Sequence, residues 1–159
     1  MTGRAGEHPP RDPSPPATPQ AAGSADHATG SRFFQRLERR YAQLLPLLPQ
    51  GQPDHSSMAA AYAGLRNEGA SVSAALRMLR QLVLHRLITL DCDQHAALAA
   101  VTRSMTELAE FTVNIACLQA FDELDGRHGA PLTAGGARAQ LWVIGMGKLG
   151  ARELNVSSD

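Results

Sequence analysis

The residues best suited to chemistry stand together at the carboxyl end of the sequence. They are three glycines, one lysine, two serines and one aspartate: Gly145, Gly147, Gly150, Lys148, Ser157, Ser158 and Asp159. A turn of glycines lets backbone N–H groups come close to phosphate oxygens, and a lysine adds a compact positive charge. A carboxylate is a ligand for divalent cations. This set therefore indicates the handling of phosphate or nucleotide.

Three phosphate-binding patterns compete for this segment. The spacing Gly145-x-Gly147-x-x-Gly150 after an apolar run is that of a dinucleotide-binding loop, but turn-forming residues replace the apolar helix that should follow. A P-loop requires Ser or Thr after Gly-Lys, whereas Leu149 follows Lys148. The third pattern has a strand leading into Gly147-Lys148, with Ser158-Asp159 beginning ten positions after the lysine.

The third pattern resembles the nucleotidyltransferase superfamily of the polymerase-β type. That superfamily sets a Gly-Ser-like turn against nucleotide phosphates and holds divalent metal with an Asp-x-Asp pair on the next strand. The sequence of residues 145–159, GMGKLGARELNVSSD, has a more specific resemblance, to the N-terminal half of glutamine synthetase adenylyltransferase/adenylyl-removing enzymes. This family also has Lys where most of the superfamily has Ser, and it usually has Gly-Gly in place of Gly150-Ala151.

The resemblance extends upstream to about residue 31. The Arg-rich run 76–86, Asp91, the segment 105–110 and Gly129-Ala-Pro131 match the family in order, although Leu82 and Val83 replace an expected charged pair. The chain ends on the first Asp of the Asp-x-Asp pair, so we expect a gene fragment or an incomplete sequence.

The resemblance implies an enzyme with two nucleotidyltransferase domains. The N-terminal one removes AMP from an adenylylated tyrosine of glutamine synthetase by phosphorolysis, giving ADP, and the C-terminal one attaches AMP from ATP. Both need Mg²⁺ or Mn²⁺, and the PII signalling protein and glutamine set their balance. It further implies that the nucleotide phosphates are bound by five of the residues above (Gly145, Gly147, Lys148, Ser157 and Ser158). Asp159 would be a metal ligand.

Several classes of function are excluded or disfavoured by composition. The 159 residues carry zero formal net charge, which argues against a general nucleic-acid binder. No apolar run is long enough for a transmembrane helix, and no secretory leader is visible, so a cytoplasmic protein away from membranes is expected. Cys92 and Cys117 suit a reduced compartment. The 14 arginines against a single lysine, Lys148, make that lysine conspicuous.

The elements that must position the site are predicted to be mainly α-helical, in three parts. Residues 1–30 hold six of the ten prolines and no Leu, Ile, Val or Phe, which predicts a disordered tail. Residues 31–128 form a bundle-like helical region, and 129–159 form the truncated start of the nucleotidyltransferase core.

Apolar spacing predicts four helical segments within 31–128. The first begins at Ser31 and stops before Pro46, the second covers 56–66 and the third covers 71–90, its surface decorated by Arg77, Arg80, Arg86 and His85. Asp91 and Asp93 are expected to cap the fourth, about 94–125, which is one helix or two with a break near Thr102. Gly126 and Gly129 end it.

The apolar run 140–144 predicts one buried strand. Without neighbouring strands it should be poorly held and leave its side chains partly exposed. Glu153 is interpreted as helix surface, and Arg152 as facing either solvent, which we favour, or phosphate. The fragment alone is expected to be inactive, and the competing hypothesis is a non-enzymatic helical interaction module or gene remnant.

Overall fold

The computed structural model describes residues 30–157. The predicted disordered tail up to residue 29, Ser158 and Asp159 lie outside the described residues. The described elements are α1 (Arg32–Tyr41), a 3₁₀ turn (Leu45–Leu47), α2 (His55–Asn67), α3 (Val72–Cys92), α4 (Leu98–His128) and the single turn α5 (Gly147–Gly150). The prediction of a mainly helical chain is confirmed.

Side chains that accept backbone N–H groups begin the first three helices. Ser31 accepts from Phe34, which confirms its predicted role, and Ser71 accepts from Ala74. Asp54 and Ser57 form a reciprocal capping box at the start of α2. The hydrogen bonds from the backbone and hydroxyl of Ser57 lower the pKa of Asp54 to about 2.

The core lies where α2, α3 and the first half of α4 meet. Its fully buried side chains come from the apolar stripes of these helices and include Met58, Ala61, Leu65, Ala75, Leu79, Leu82 and Val83. Leu48 closes one side from the loop after the 3₁₀ turn. Leu82 and Val83, which stand in place of the expected charged pair, are therefore core residues, and burial explains why they are apolar.

The fourth segment is one unbroken helix. α4 runs for 31 residues, about 46 Å, so the possible break near Thr102 does not occur. The predicted caps were wrong, because Asp91 lies inside α3 and Asp93 is the C-cap of that helix. Ala97 is the N-cap of α4 and makes no side-chain capping bond. Gly129 ends the helix as predicted, whereas Gly126 is still helical.

The predicted buried strand at 140–144 is wrong on both counts. The segment has no regular secondary structure, and Leu141, Trp142, Val143 and Ile144 are 58–83% exposed. Within the described residues the β-pairing is a single bridge between Leu132 and Arg138. A strand needs a neighbour for its backbone groups, and none is in place here. The expectation that these side chains would be exposed is confirmed.

None of the described helices is both long enough and apolar enough to cross a membrane.

Candidate functional site

The glycine-rich segment folds into a tight turn whose shape favours glycine at position 147 and requires it at position 150. Gly147 has a φ of +54°, in the left-handed region that side chains avoid. A Cβ on Gly150 would lie well inside 3.0 Å of the Gly145 carbonyl oxygen and 3.1 Å from its carbonyl carbon. Ala151, by contrast, has ordinary right-handed helical angles. A methyl group at position 151 therefore costs no backbone strain.

The turn closes through the two hydrogen bonds of a Schellman motif. The Glu153 N–H donates to the Lys148 carbonyl at 2.8 Å, and the Arg152 N–H donates to the Leu149 carbonyl at 3.1 Å. Arg152 takes the left-handed position of this motif, with a φ of +60°. Lys148 lies in the first turn of α5 and is exposed, so its ammonium group is open to a ligand.

Arg152 is mostly exposed, as the favoured alternative predicts, and it also pairs with two carboxylates that the sequence did not indicate. Its Nη2 lies 3.6 Å from Glu110 Oε2 and 3.9 Å from Glu107 Oε1, both on α4. Glu107 also accepts the backbone N–H of His55 at 3.0 Å. Two residues further on, Leu154 packs against the helical core. The segment is thus docked on the helices and does not hang free.

The other predicted site residues have mixed outcomes. Gly145, Gly147 and Lys148 share the turn, but Ser157 donates to the side chain of Asn155 at 3.0 Å and is exposed. Ser158 and Asp159 lie outside the described residues, so their roles stay predictions. Glu153 follows α5 and is exposed, not part of a helix surface.

The described residues do not by themselves make a metal site. Between residues 30 and 157 no three His, Cys, Asp or Glu side chains come together closely enough to hold an ion. The predicted ligand set would begin with Asp159, and its second carboxylate is not part of this sequence.

A groove of about 620 Å³ separates α4 from the glycine-rich segment. The groove is lined by Phe121 of α4, by Trp142 and by Leu149 of the turn α5. Beside it, Arg138 pairs with Asp125 and lies over the ring of Phe121, 5.2 Å from the centroid. These contacts join the loop after α4 to the second half of that helix, where the buried residues of α4, all within 101–111, do not extend.

The sequence did not predict a buried polar cluster on α3, where Arg86 and His85 face the 48–50 loop and α1. Arg86 is 93% buried and donates to the Leu48 carbonyl at 3.2 Å and to the side chain of Gln50. His85 stacks on Phe34 with the ring centroids 4.4 Å apart. Arg86 is predicted from the sequence to lie on the surface, but its spacing of three, four and seven residues from Val83, Leu82 and Leu79 puts it on the same helix face as these core residues. The cluster fastens the 48–50 loop to α3.

Burial sets the ionisation of this cluster. It lowers the pKa of His85 below its ordinary value, while the nearby Glu38 carboxylate, 3.9 Å from Nε2, acts in the opposite direction. The imidazole is therefore mainly neutral at neutral pH.

The fold and the turn together define a helical body that presents a lysine-bearing glycine turn, as in phosphate- and nucleotide-handling proteins. Comparison with known families makes this specific. Residues 26–159 match the family model described as GlnE, glutamate-ammonia ligase adenylyltransferase, and the chain belongs to this family.

Proteins from three bacteria are similar in sequence to this chain. Each is named bifunctional glutamine synthetase adenylyltransferase/adenylyl-removing enzyme. The Aromatoleum aromaticum protein is 45% identical over 83% of this chain, the Thioalkalivibrio sulfidiphilus protein 38% over 82%, and the Ralstonia nicotianae protein 37% over 81%. The aligned part spans only 14% of the length of each of these relatives. No solved structure matches the chain.

Proposed function

We propose that this chain supplies the helical base and the phosphate-facing turn of an adenylyl-removing nucleotidyltransferase domain. The observation that carries the proposal is the exposed Lys148 on a turn that Gly147 favours and Gly150 makes possible, in a chain of this family. The proposed substrate is glutamine synthetase with AMP on a tyrosine, and the co-substrate is inorganic phosphate.

The proposed reaction is phosphorolysis of a phosphodiester. An oxygen of inorganic phosphate attacks the AMP phosphorus, the bond from phosphorus to the tyrosyl oxygen breaks, and that oxygen takes up a proton. The products are ADP and glutamine synthetase with its tyrosine side chain unmodified. Two phosphate groups must approach each other in this step, so positive charge and N–H donors at the turn lower the repulsion between them.

Each residue of the turn has a distinct part in this proposal. Lys148 neutralises phosphate oxygens as a compact point charge. Gly145 and Gly147 keep the backbone bare, so that phosphate can approach the turn closely. Ser157 and Ser158 would donate hydroxyl hydrogen bonds to phosphate if the last residues turn towards Lys148.

A divalent cation, Mg²⁺ or Mn²⁺, is proposed as the cofactor, with Asp159 as one ligand. When bound it would neutralise charge on the phosphate oxygens. One carboxylate is a weak site for Mg²⁺, which usually combines several carboxylate or phosphate ligands. We therefore expect residues 1–159 alone to show no adenylyl removal and no tight binding of Mg²⁺–nucleotide.

Partners and setting follow from the family and remain proposals. Glutamine synthetase is the proposed target, the PII signalling protein is the proposed regulator, and the cytoplasm is the proposed compartment. Attachment of AMP from ATP would belong to a second domain outside this sequence.

The test is a chimera in which this chain replaces the matched segment of the Aromatoleum aromaticum relative. Phosphate-dependent ADP release from adenylylated glutamine synthetase is measured for the chimera, for residues 1–159 alone and for the chimera carrying Lys148→Ala. We expect activity in the chimera, none in residues 1–159, and a loss of at least about tenfold with Lys148→Ala, since it removes a charge-assisted contact to phosphate. Full activity of the Lys148→Ala chimera would refute the proposal.

A further inference from the structure

Arg152 occupies a backbone position that ordinarily belongs to glycine. It is the left-handed residue of the Schellman motif, with a φ of +60°, between the bonds that join Arg152 to Leu149 and Glu153 to Lys148. A residue with a Cβ carries a conformational cost there that glycine would not. A compensating role for the side chain would offset that cost.

The side chain has such a role, because it reaches two carboxylates on α4. Glu110 is half exposed, but Glu107 is only 19% exposed and is also held by the His55 N–H at the start of α2. The Arg152 guanidinium thus joins the turn to a carboxylate that is itself fixed between two helices. A partly buried partner with a second hydrogen bond is a firmer anchor than an isolated surface charge.

The chain on either side of Arg152 is anchored differently. The turn 147–150 precedes it and is held mainly by its own backbone bonds, whereas Leu154 follows and packs on the core. The ion pairs of Arg152 lie between the turn and Leu154 and attach this part of the segment to α4. Small shifts of this residue would move Lys148 relative to the helices.

We propose that Arg152 is a positioning residue that clamps the glycine turn to α4 through Glu107 and Glu110, and that it is not a phosphate ligand. Its importance for catalysis rests on the proposed function, whereas the clamp itself does not. With the guanidinium held by carboxylates, the positive charge offered to phosphate at this turn comes from Lys148.

The first test measures amide hydrogen exchange of residues 150–153 in the full 159-residue chain. Arg152→Gln removes the charge and keeps a polar side chain, although a shorter one, and Arg152→Lys keeps both the charge and most of the length. Both retain the left-handed backbone cost, so the two variants differ in the ion pairs. We expect Arg152→Gln to speed exchange about two- to fivefold, the range for exposed ion pairs, and Arg152→Lys to recover most of the protection.

A double-mutant cycle separates the clamp from other effects of the substitution. The double variant Glu107→Gln/Glu110→Gln should speed exchange by a similar factor, and adding Arg152→Gln to it should change little more. Arg127→Gln, in the last turn of α4, is the charge-matched control and should leave exchange at 150–153 unchanged. Additive effects, or exchange unaltered in all variants, would overturn the clamp.

The second test uses the chimera and distinguishes positioning from phosphate binding. If Arg152 positions the turn, Arg152→Gln and Glu107→Gln/Glu110→Gln should both lower kcat several-fold with the KM for phosphate nearly unchanged, and Arg152→Lys should rescue. If Arg152 binds phosphate, Arg152→Gln alone would raise that KM, and the carboxylate variants would not mimic it. An inactive parent chimera would refute the proposed function, while the exchange cycle would still decide whether the clamp exists.

Discussion

Replacing Gly150 by alanine should open the phosphate-facing turn without unfolding the helical body. The new Cβ would meet the carbonyl oxygen and carbon of Gly145, both backbone atoms, so no side chain can move aside to relieve the clash. The Gly145 peptide would have to retreat by several tenths of an ångström, away from the contact that closes the turn. The Gly150 N–H bond to the Met146 carbonyl, already 3.3 Å long, would be lost first.

The magnitude follows from the cost of overpacking. Forcing a methyl group into a filled site costs about 1–3 kcal/mol, which lowers the ratio of closed to open turn about 5- to 150-fold. Ala151→Gly is the matched control, because Ala151 has right-handed helical angles and lies one residue further along the same turn. Its cost should stay below about 1 kcal/mol, the entropic cost of a glycine.

Amide hydrogen exchange at Ala151 and Glu153 is the appropriate assay, since their N–H groups donate within the turn. We expect fast exchange in Gly150→Ala, near-native exchange in Ala151→Gly, and unchanged protection of the α3 amides in both. Equal protection of the turn in Gly150→Ala and in the unsubstituted chain would refute the steric reasoning.

Three further predictions concern the body of the chain. Trp142, 79% exposed, should emit at the long wavelength of a solvated indole and be quenched readily by acrylamide; blue-shifted, protected emission from a verified monomer would contradict this. Leu79→Ala should lower the urea-derived free energy of unfolding by about 2–5 kcal/mol, against less than about 0.5 for Leu98→Ala, because Leu79 is fully buried and Leu98 is 74% exposed. Because burial lowers the pKa of His85, the folded state takes up its proton less readily than the unfolded state, so this contribution to stability is present above pH 6.5 and is lost as the pH falls below it. Urea midpoints from pH 7.5 to 5.5 should show this loss in the unsubstituted chain and in His128→Gln, an exposed control, but a smaller one in His85→Gln.

The helices could be predicted because their signals are local. Apolar residues three and four apart mark the buried faces of α1 and α3, and Ser31 is a polar cap directly before such a stripe. The start of α4 was misplaced because Asp91 and Asp93 are good caps by residue type, yet α3 continues through Asp91. The capping preference of a residue does not determine which of two adjoining helices contains it.

The prediction of a strand at 140–144 was wrong for a different reason. These residues favour a β-strand, but a strand forms only where a neighbouring strand pairs with it. The described residues contain no such neighbour for this segment. In the candidate site, the spacing predicts that the glycines and Lys148 share one turn, which the structure confirms. The Arg152 contacts were not predictable, because they join residues 42 and 45 positions apart through a backbone angle that an arginine rarely adopts.

The central claim is that this chain carries the phosphate-facing turn of an adenylyl-removing domain, and the fate of labelled phosphate tests it most directly. The unsubstituted chimera and the chimeras carrying Lys148→Ala or Arg152→Ala are each incubated with adenylylated glutamine synthetase and ³²P-labelled inorganic phosphate. The account predicts label in the terminal phosphate of ADP, at a rate that Lys148→Ala lowers more than Arg152→Ala does. Release of unlabelled AMP, or labelled ADP formed equally fast without Lys148, would contradict it.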